Sequence, residues 1–188
     1  MDGSLGIDVF YDTPVTALDM EGGKFNQATV SAGDESRSFS AKALVVSAGG
    51  FESNLDWLKE AWGDAADNFL IRGTPYNMGV VLRLLLDSGA KKIGDPTQCH
   101  AVAIDGRAPK FDGGIVSRVD CVSLGVVVNI NAERFYDEGE DFWSKRYAIW
   151  GRLVADQPDQ LAYAIIYDKS TGKYMPSVFP PETADSLS

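Results

Sequence analysis

Ala43-Leu44-Val45-Val46-Ser47-Ala48-Gly49-Gly50 decides how this chain is read. An unbroken apolar run of this length predicts a strand buried on both faces, the habit of parallel sheets. Two glycines at the carboxyl end of such a strand let a backbone approach a ligand closely. In open α/β sheets, ligands bind at that end of the strands. A tight turn with no ligand is the plainer reading. The pair is not a phosphate fingerprint, because no G-x-G-x-x-G occurs in the chain.

Upstream of the run, the sequence reads as a β-meander. Ile7 to Tyr11 alternates apolar and polar residues, Val15 to Leu18 and Ala28 to Val30 follow, and Glu21-Gly22-Gly23-Lys24 and Ala32-Gly33-Asp34-Glu35 supply turns. Downstream, Ser53 or Asn54 caps a short helix over Leu55 to Ala61. Val80 to Ser88 predicts a second helix closed by Gly89. Residues 98 to 135 read as strands with glycine turns, including Asp112-Gly113-Gly114, and 136 to 155 as helical. Ala162 to Tyr167 reads as a strand, and Pro176 to Pro181 as an extended proline segment ahead of a loosely held end. A parallel strand needs a neighbour reached by a crossover of a dozen or more residues, and no βαβ unit precedes Ala43. The chain is therefore expected to be an internal piece of a larger α/β protein.

Composition narrows the chemistry. In 188 residues, 17 basic side chains face 27 acidic ones, a formal net charge of −10. Such a balance argues against nucleic-acid or anionic-membrane partners, which need a basic surface. No apolar run approaches the ~20 residues of a membrane span, and no secretory signal opens the chain. Cys99 and Cys121 form neither a disulfide framework nor a zinc spacing, so a soluble, cytoplasmic protein with reduced thiols is expected, with Cys99 buried.

A single histidine, His100, rules out a histidine-rich metal site and leaves arginines and carboxylates as the main chemical supply. His100 follows the polar loop Gly94-Asp95-Pro96 and is either a structural residue or a donor to a carboxylate. Between Arg134 and Tyr147, four acids and three bases lie among five aromatics. A solvated helical face is the plain reading of those charges. The aromatics argue against it, and Arg146 among them suits bidentate recognition of a planar carboxylate. Arg118 and Arg107 are further candidates of that type.

Val45-Val46-Ser47-Ala48-Gly49-Gly50-Phe51-Glu52-Ser53-Asn54 resembles the flavoprotein subunits of the fumarate reductase and succinate dehydrogenase superfamily. Gly73 to Asn77, Gln98 to Ala103, Asp112 to Val116, Arg134 to Trp143 and Lys145 to Gly151 extend the resemblance to nearly the whole chain. Within the superfamily they resemble the FAD-dependent branch that dehydrogenates tricarballylate.

The resemblance implies an α/β plus α+β fold. Residues 1–96 would be part of an FAD-binding domain with its β-meander, and 97–188 a capping domain that closes over the flavin. FAD contacts would fall on Val15, Ala48, Gly49, Gly50, Asn77 and Gly79. The last two replace the superfamily's acidic Gly-Asp-Gly, because Asn77-Met78-Gly79 stands there. His100 would bind a substrate carboxylate, and Ser117 with Arg118 would hold a further one. Arg146 would move the proton, acting as a base through Glu138 or Asp141. The product would be cis-aconitate, made only by the full-length protein, with this fragment inactive alone. A membrane-bound iron-sulfur and haem protein would reoxidise the flavin, which would bring the protein to the inner membrane face. The alternatives are a fumarate reductase-like enzyme, a ketosteroid dehydrogenase-like enzyme, and a ligand-binding domain without redox chemistry.

Overall fold

A computed structural model describes residues 6–111, 118–119, 125–140 and 143–166. The chain divides into two compact units, Met1–Asn54 with Asn77–Ile93, and Leu55–Tyr76 with Gly94–Ser188.

The first unit is built on an antiparallel meander of β1 (Val15–Glu21), β2 (Lys24–Ala32) and β3 (Glu35–Ser40), in the order β1-β2-β3. Its first turn is set by two residues, Gly22 and Gly23, at φ +57° and +77°. Positive φ at both central positions matches the twist of the flanking strands, and glycine adopts it without steric cost. Pairing runs from Val15↔Val30 to Glu21↔Lys24, with two register shifts along β1. Within the meander only Ala28 and Val30, in the central strand, are buried. Helix α2 (Val80–Asp87) packs on β1. It closes as expected: the amides of Ser88, Gly89 and Ala90 reach back to the carbonyls of Leu84, Leu86 and Leu85, with Gly89 at φ +91°.

Two strand expectations fail here. Ile7 to Tyr11 pairs with nothing among the described residues and is exposed. Ala43 to Ala48 likewise has no strand partner among them, and Val45 is 88% exposed. A strand is a property of a pair, so an apolar run without a hydrogen-bonding neighbour stays an extended segment.

The second unit begins with α1 (Leu55–Trp62), which starts where the cap at Asn54 predicts and buries Trp57. A 3-10 turn, Gly63–Asn68, follows and buries Ala66. This stretch, assigned to the first region from sequence, is tied to later residues. Asn68 donates to Gln160 at 2.8 Å, the Lys110 ammonium donates to the Asp67 carbonyl at 2.6 Å, and Ile71 bridges Phe111. Strands β4 (Gly125–Asn129) and β5 (Ala162–Ile166) pair antiparallel, and α3 (Trp143–Ala155) lies between them in sequence. Val127 and Trp150 form the buried core, flanked by Ala103, Val119, Phe135, Tyr136, Tyr147 and Ala162.

The helical expectation for 136–155 is corrected at its start. Residues 136–140 form turns, and the helix begins at Trp143. Glycine and clustered acids at 137–140 favour local side-chain-to-backbone bonds over a helical turn, as Asp137 shows by accepting from the Gly139 amide at 2.9 Å. Cys99 is exposed rather than buried. Its thiol is nevertheless desolvated enough to be held above its ordinary pKa, with Arg152 pulling weakly the other way. The turn Asp112-Gly113-Gly114, Cys121, Tyr167 and the proline segment lie outside the described residues.

Candidate functional site

In the first unit the chain folds back on its glycine turn. The Ser53 amide donates to the Asn77 carbonyl at 3.1 Å, and the Asn54 side chain donates to the Met78 carbonyl at 3.1 Å. These bonds bring Gly49 against Asn77, two of the six residues expected at a cofactor. Gly49 sits at φ +74°, and a Cβ there would meet Asn77 Oδ1 at 3.0 Å. At Gly50 a Cβ would meet Glu52 Oε2 at 2.9 Å. Asn77 in turn donates to Glu52 Oε1 at 2.5 Å. Gly79, left-handed at φ +70°, starts α2. Ala48 is exposed beside this turn, and Val15 is half-buried at the start of β1. A backbone stripped of side chains and facing an amide and a carboxylate is a cradle that suits a flat, polar-edged cofactor.

In the second unit, Tyr147 of α3 brings together two of the expected substrate residues, His100 and Arg118. His100 meets Tyr147 edge to face, with ring centroids 5.2 Å apart and planes inclined by 60°. The Arg118 guanidinium lies over the same Tyr147 ring, 5.2 Å from its centre. Arg146 is the preceding residue of α3, and its guanidinium pairs with Glu140. Ser117 lies outside the described residues.

The segment carrying His100 is seated on α3 by Gly151. A Cβ there would fall 2.5 Å from the Ala101 carbonyl carbon and from the Val102 amide nitrogen. Arg152 adds a bond from Nη1 to Gln98 Oε1 at 2.7 Å. Arg118 is placed by its bridge to Ile104 and by the Val119 amide, which donates to Ala103 at 2.9 Å.

Two arginine assignments change. The carboxylate facing Arg146 is Glu140. Glu138, expected there, is instead buried and takes three donations from Arg134 and one from the Val127 amide at 2.6 Å. Burial pushes the Glu138 carboxyl up, but the Arg134 guanidinium and the Val127 N–H outweigh it and hold it below the ordinary carboxylate value. Asp141, the other expected relay, lies outside the described residues. Arg107 is spent locally on Asp105, with Nε–Oδ1 at 2.9 Å and Nη2–Oδ2 at 2.7 Å, and this pairing lowers the Asp105 pKa.

Tyr147 as the shared platform, Glu140 as the partner of Arg146 and Gly151 as the seat were not singled out from sequence. The one available signal was spacing, since Tyr147 and Gly151 are four apart and share a helix face. No cluster of histidine, cysteine and carboxylate side chains among the described residues could hold a metal. None of the described helices is long and apolar enough to cross a membrane.

The described residues form a mixed α/β chain with small antiparallel sheets, consistent with part of a cofactor-binding domain. Residues 2–171 match the FAD binding domain family, and the chain belongs to it, with FAD as the cofactor. No curated protein matches the chain.

Among solved structures, the chain is similar to 3-ketosteroid-Δ4-(5α)-dehydrogenase from Rhodococcus jostii RHA1 in complex with 4-androstene-3,17-dione. The TM-score is 0.63 at 19% identity, covering 90% of this chain and 32% of that one. It is also similar to a flavocytochrome c3 fumarate reductase in an open conformation, with TM-score 0.57 at 21% identity, covering 85% and 27%. A third is 3-ketosteroid Δ1-dehydrogenase from Sterolibacterium denitrificans with 1,4-androstadiene-3,17-dione, with TM-score 0.61 at 20% identity, covering 81% and 27%. The chain thus spans about a third or less of each.

Proposed function

We propose that this chain is part of an FAD-dependent dehydrogenase acting on a polycarboxylate, with tricarballylate oxidised to cis-aconitate. The observation that carries the reading is the meeting of His100 and Arg118 on one tyrosine ring, beside Arg146. In this reading residues 97–188 are a capping domain and its cations recognise carboxylates. The guanidinium of Arg118 offers a fixed fork of donors and the imidazole of His100 offers one more; Ser117, next to Arg118 in sequence, is the further donor of this reading.

Val15, Ala48, Gly49, Gly50, Asn77 and Gly79 would hold FAD, which when bound supplies the acceptor for a hydride leaving a substrate carbon. The proton on the neighbouring carbon leaves through Arg146. An arginine stays charged at ordinary pH, so it takes a proton only as it passes one on. Glu140, paired with it, is the carboxylate that receives it. The electron pair of the broken C–H bond becomes the new carbon–carbon double bond, conjugated to a carboxylate. Reoxidation by a membrane-bound iron-sulfur and haem protein belongs to the same proposal.

A second reading, a 3-ketosteroid dehydrogenase, is favoured by two of the structural relatives. A steroid dione has no carboxylate for the arginines to hold. The test is dye reduction by the full-length, FAD-loaded protein offered tricarballylate, succinate or 4-androstene-3,17-dione in turn. Turnover of the tricarboxylate supports the proposal. Turnover of the steroid alone replaces it with the second reading.

A further inference from the structure

We infer that Tyr147 is a positioning residue whose ring orders His100 and Arg118 into one two-point site for carboxylates. The inference rests on the polycarboxylate reading above. Three segments distant in sequence converge there: the stretch from Gln98 to Ile104, Arg118, and α3. Each backbone is anchored without Tyr147. Gly151 admits Ala101 and Val102, Arg152 holds Gln98, and Val119 bonds to Ala103.

Besides its packing on Val127 and Trp150, the ring touches the two side chains that would meet a substrate. An aromatic face is electronegative, and a guanidinium above it is attracted to it. A neighbouring ring prefers the edge-to-face arrangement that His100 adopts. Arg118 is a long side chain that loses much rotamer freedom when it binds an anion. A ring that limits this freedom in advance lowers the loss on binding. The two contacts are made by the ring, so phenylalanine should keep them and leucine should not.

The experiment has two readouts. His100 is the only histidine of this chain, so its imidazole signals in an NMR spectrum of the 188-residue chain are unambiguous. Tyr147→Leu should move those signals by removing the neighbouring ring current, and Tyr147→Phe should leave them near wild type. In the full-length, FAD-loaded protein, Tyr147→Leu should raise KM for tricarballylate about tenfold, equivalent to ~1.4 kcal/mol. Its kcat should change much less, and Tyr147→Phe should restore KM.

A purely structural role, packing against Val127 and Trp150, would lower the melting temperature without separating KM from kcat. That result overturns the inference, as do unmoved His100 signals in Tyr147→Leu or equal damage from phenylalanine. If the wild-type protein turns over no polycarboxylate, the proposed function has failed. The His100 signals then decide alone whether the ring positions the imidazole.

Discussion

Two arginine–glutamate pairs lie within thirteen residues of each other and are built in opposite ways. At the corner under β4, Glu138 is the hidden partner, its side chain 5% exposed, while Arg134 is 55% exposed. At the start of α3 the exposures are reversed, with Arg146 at 24% and Glu140 at 53%. A buried carboxylate cannot give up its donors without being left uncompensated, which fixes the Arg134 corner as structure. A carboxylate in water loses little when its partner leaves. The Arg146–Glu140 pair is therefore held loosely, and the Arg134–Glu138 pair is fixed. Motif spacing alone does not distinguish the two pairs, and burial does.

Arg146 is carried by α3, and the largest effect comes from the seat of that helix. Gly151→Ala sets a Cβ against the backbone of Ala101 and Val102, where no side chain can yield. A loss of about 3 kcal/mol is expected, read as a fall in melting temperature, with His100 and Tyr147 signals shifting together.

Next comes Glu138→Gln, which weakens charge-assisted bonds to Arg134 and Val127 and should cost about 2 kcal/mol. Its pH dependence has a definite sign. The folded-state pKa of Glu138 is depressed, so its stabilisation is present above the ordinary glutamate value of about 4.3. It is lost as the pH falls through the lower folded value. Urea titrations at neutral and acidic pH should show the wild-type advantage over Glu138→Gln shrinking as acid is added.

The smallest effect is expected from Glu140→Gln, under about 1 kcal/mol in stability. A loss as large as that of Glu138→Gln, in the same urea titrations, would erase the contrast between the pairs.

The local fold was legible where short-range rules suffice. Gly22-Gly23 set the first hairpin, Asn54 marked the start of α1, and Gly89 closed α2. The apolar run from Ala43 to Ala48 predicts a strand that does not form among the described residues, because strand pairing depends on partners that periodicity cannot supply. His100, Arg118 and Arg146 were legible as residue types. The meeting of His100 and Arg118 at Tyr147 was not, because it depends on the close approach at Gly151 between segments some fifty residues apart. Asn129 was also missed. It is buried, and its Oδ1 accepts from the amides of Asn131 and Glu133 at 2.9 and 3.0 Å, turning the chain from β4 toward Arg134. An asparagine between Val128 and Ile130 gives no sign of that in the sequence alone.

In the proposed function Arg146 moves the proton and Glu140, its partner, receives it. The direct measurement is anaerobic bleaching of the bound flavin by tricarballylate in the full-length protein, wild type beside Arg146→Gln. The account predicts bleaching in the wild type and a slowing of about a hundredfold or more in the variant, with FAD content unchanged. Bleaching at the wild-type rate in Arg146→Gln would contradict it.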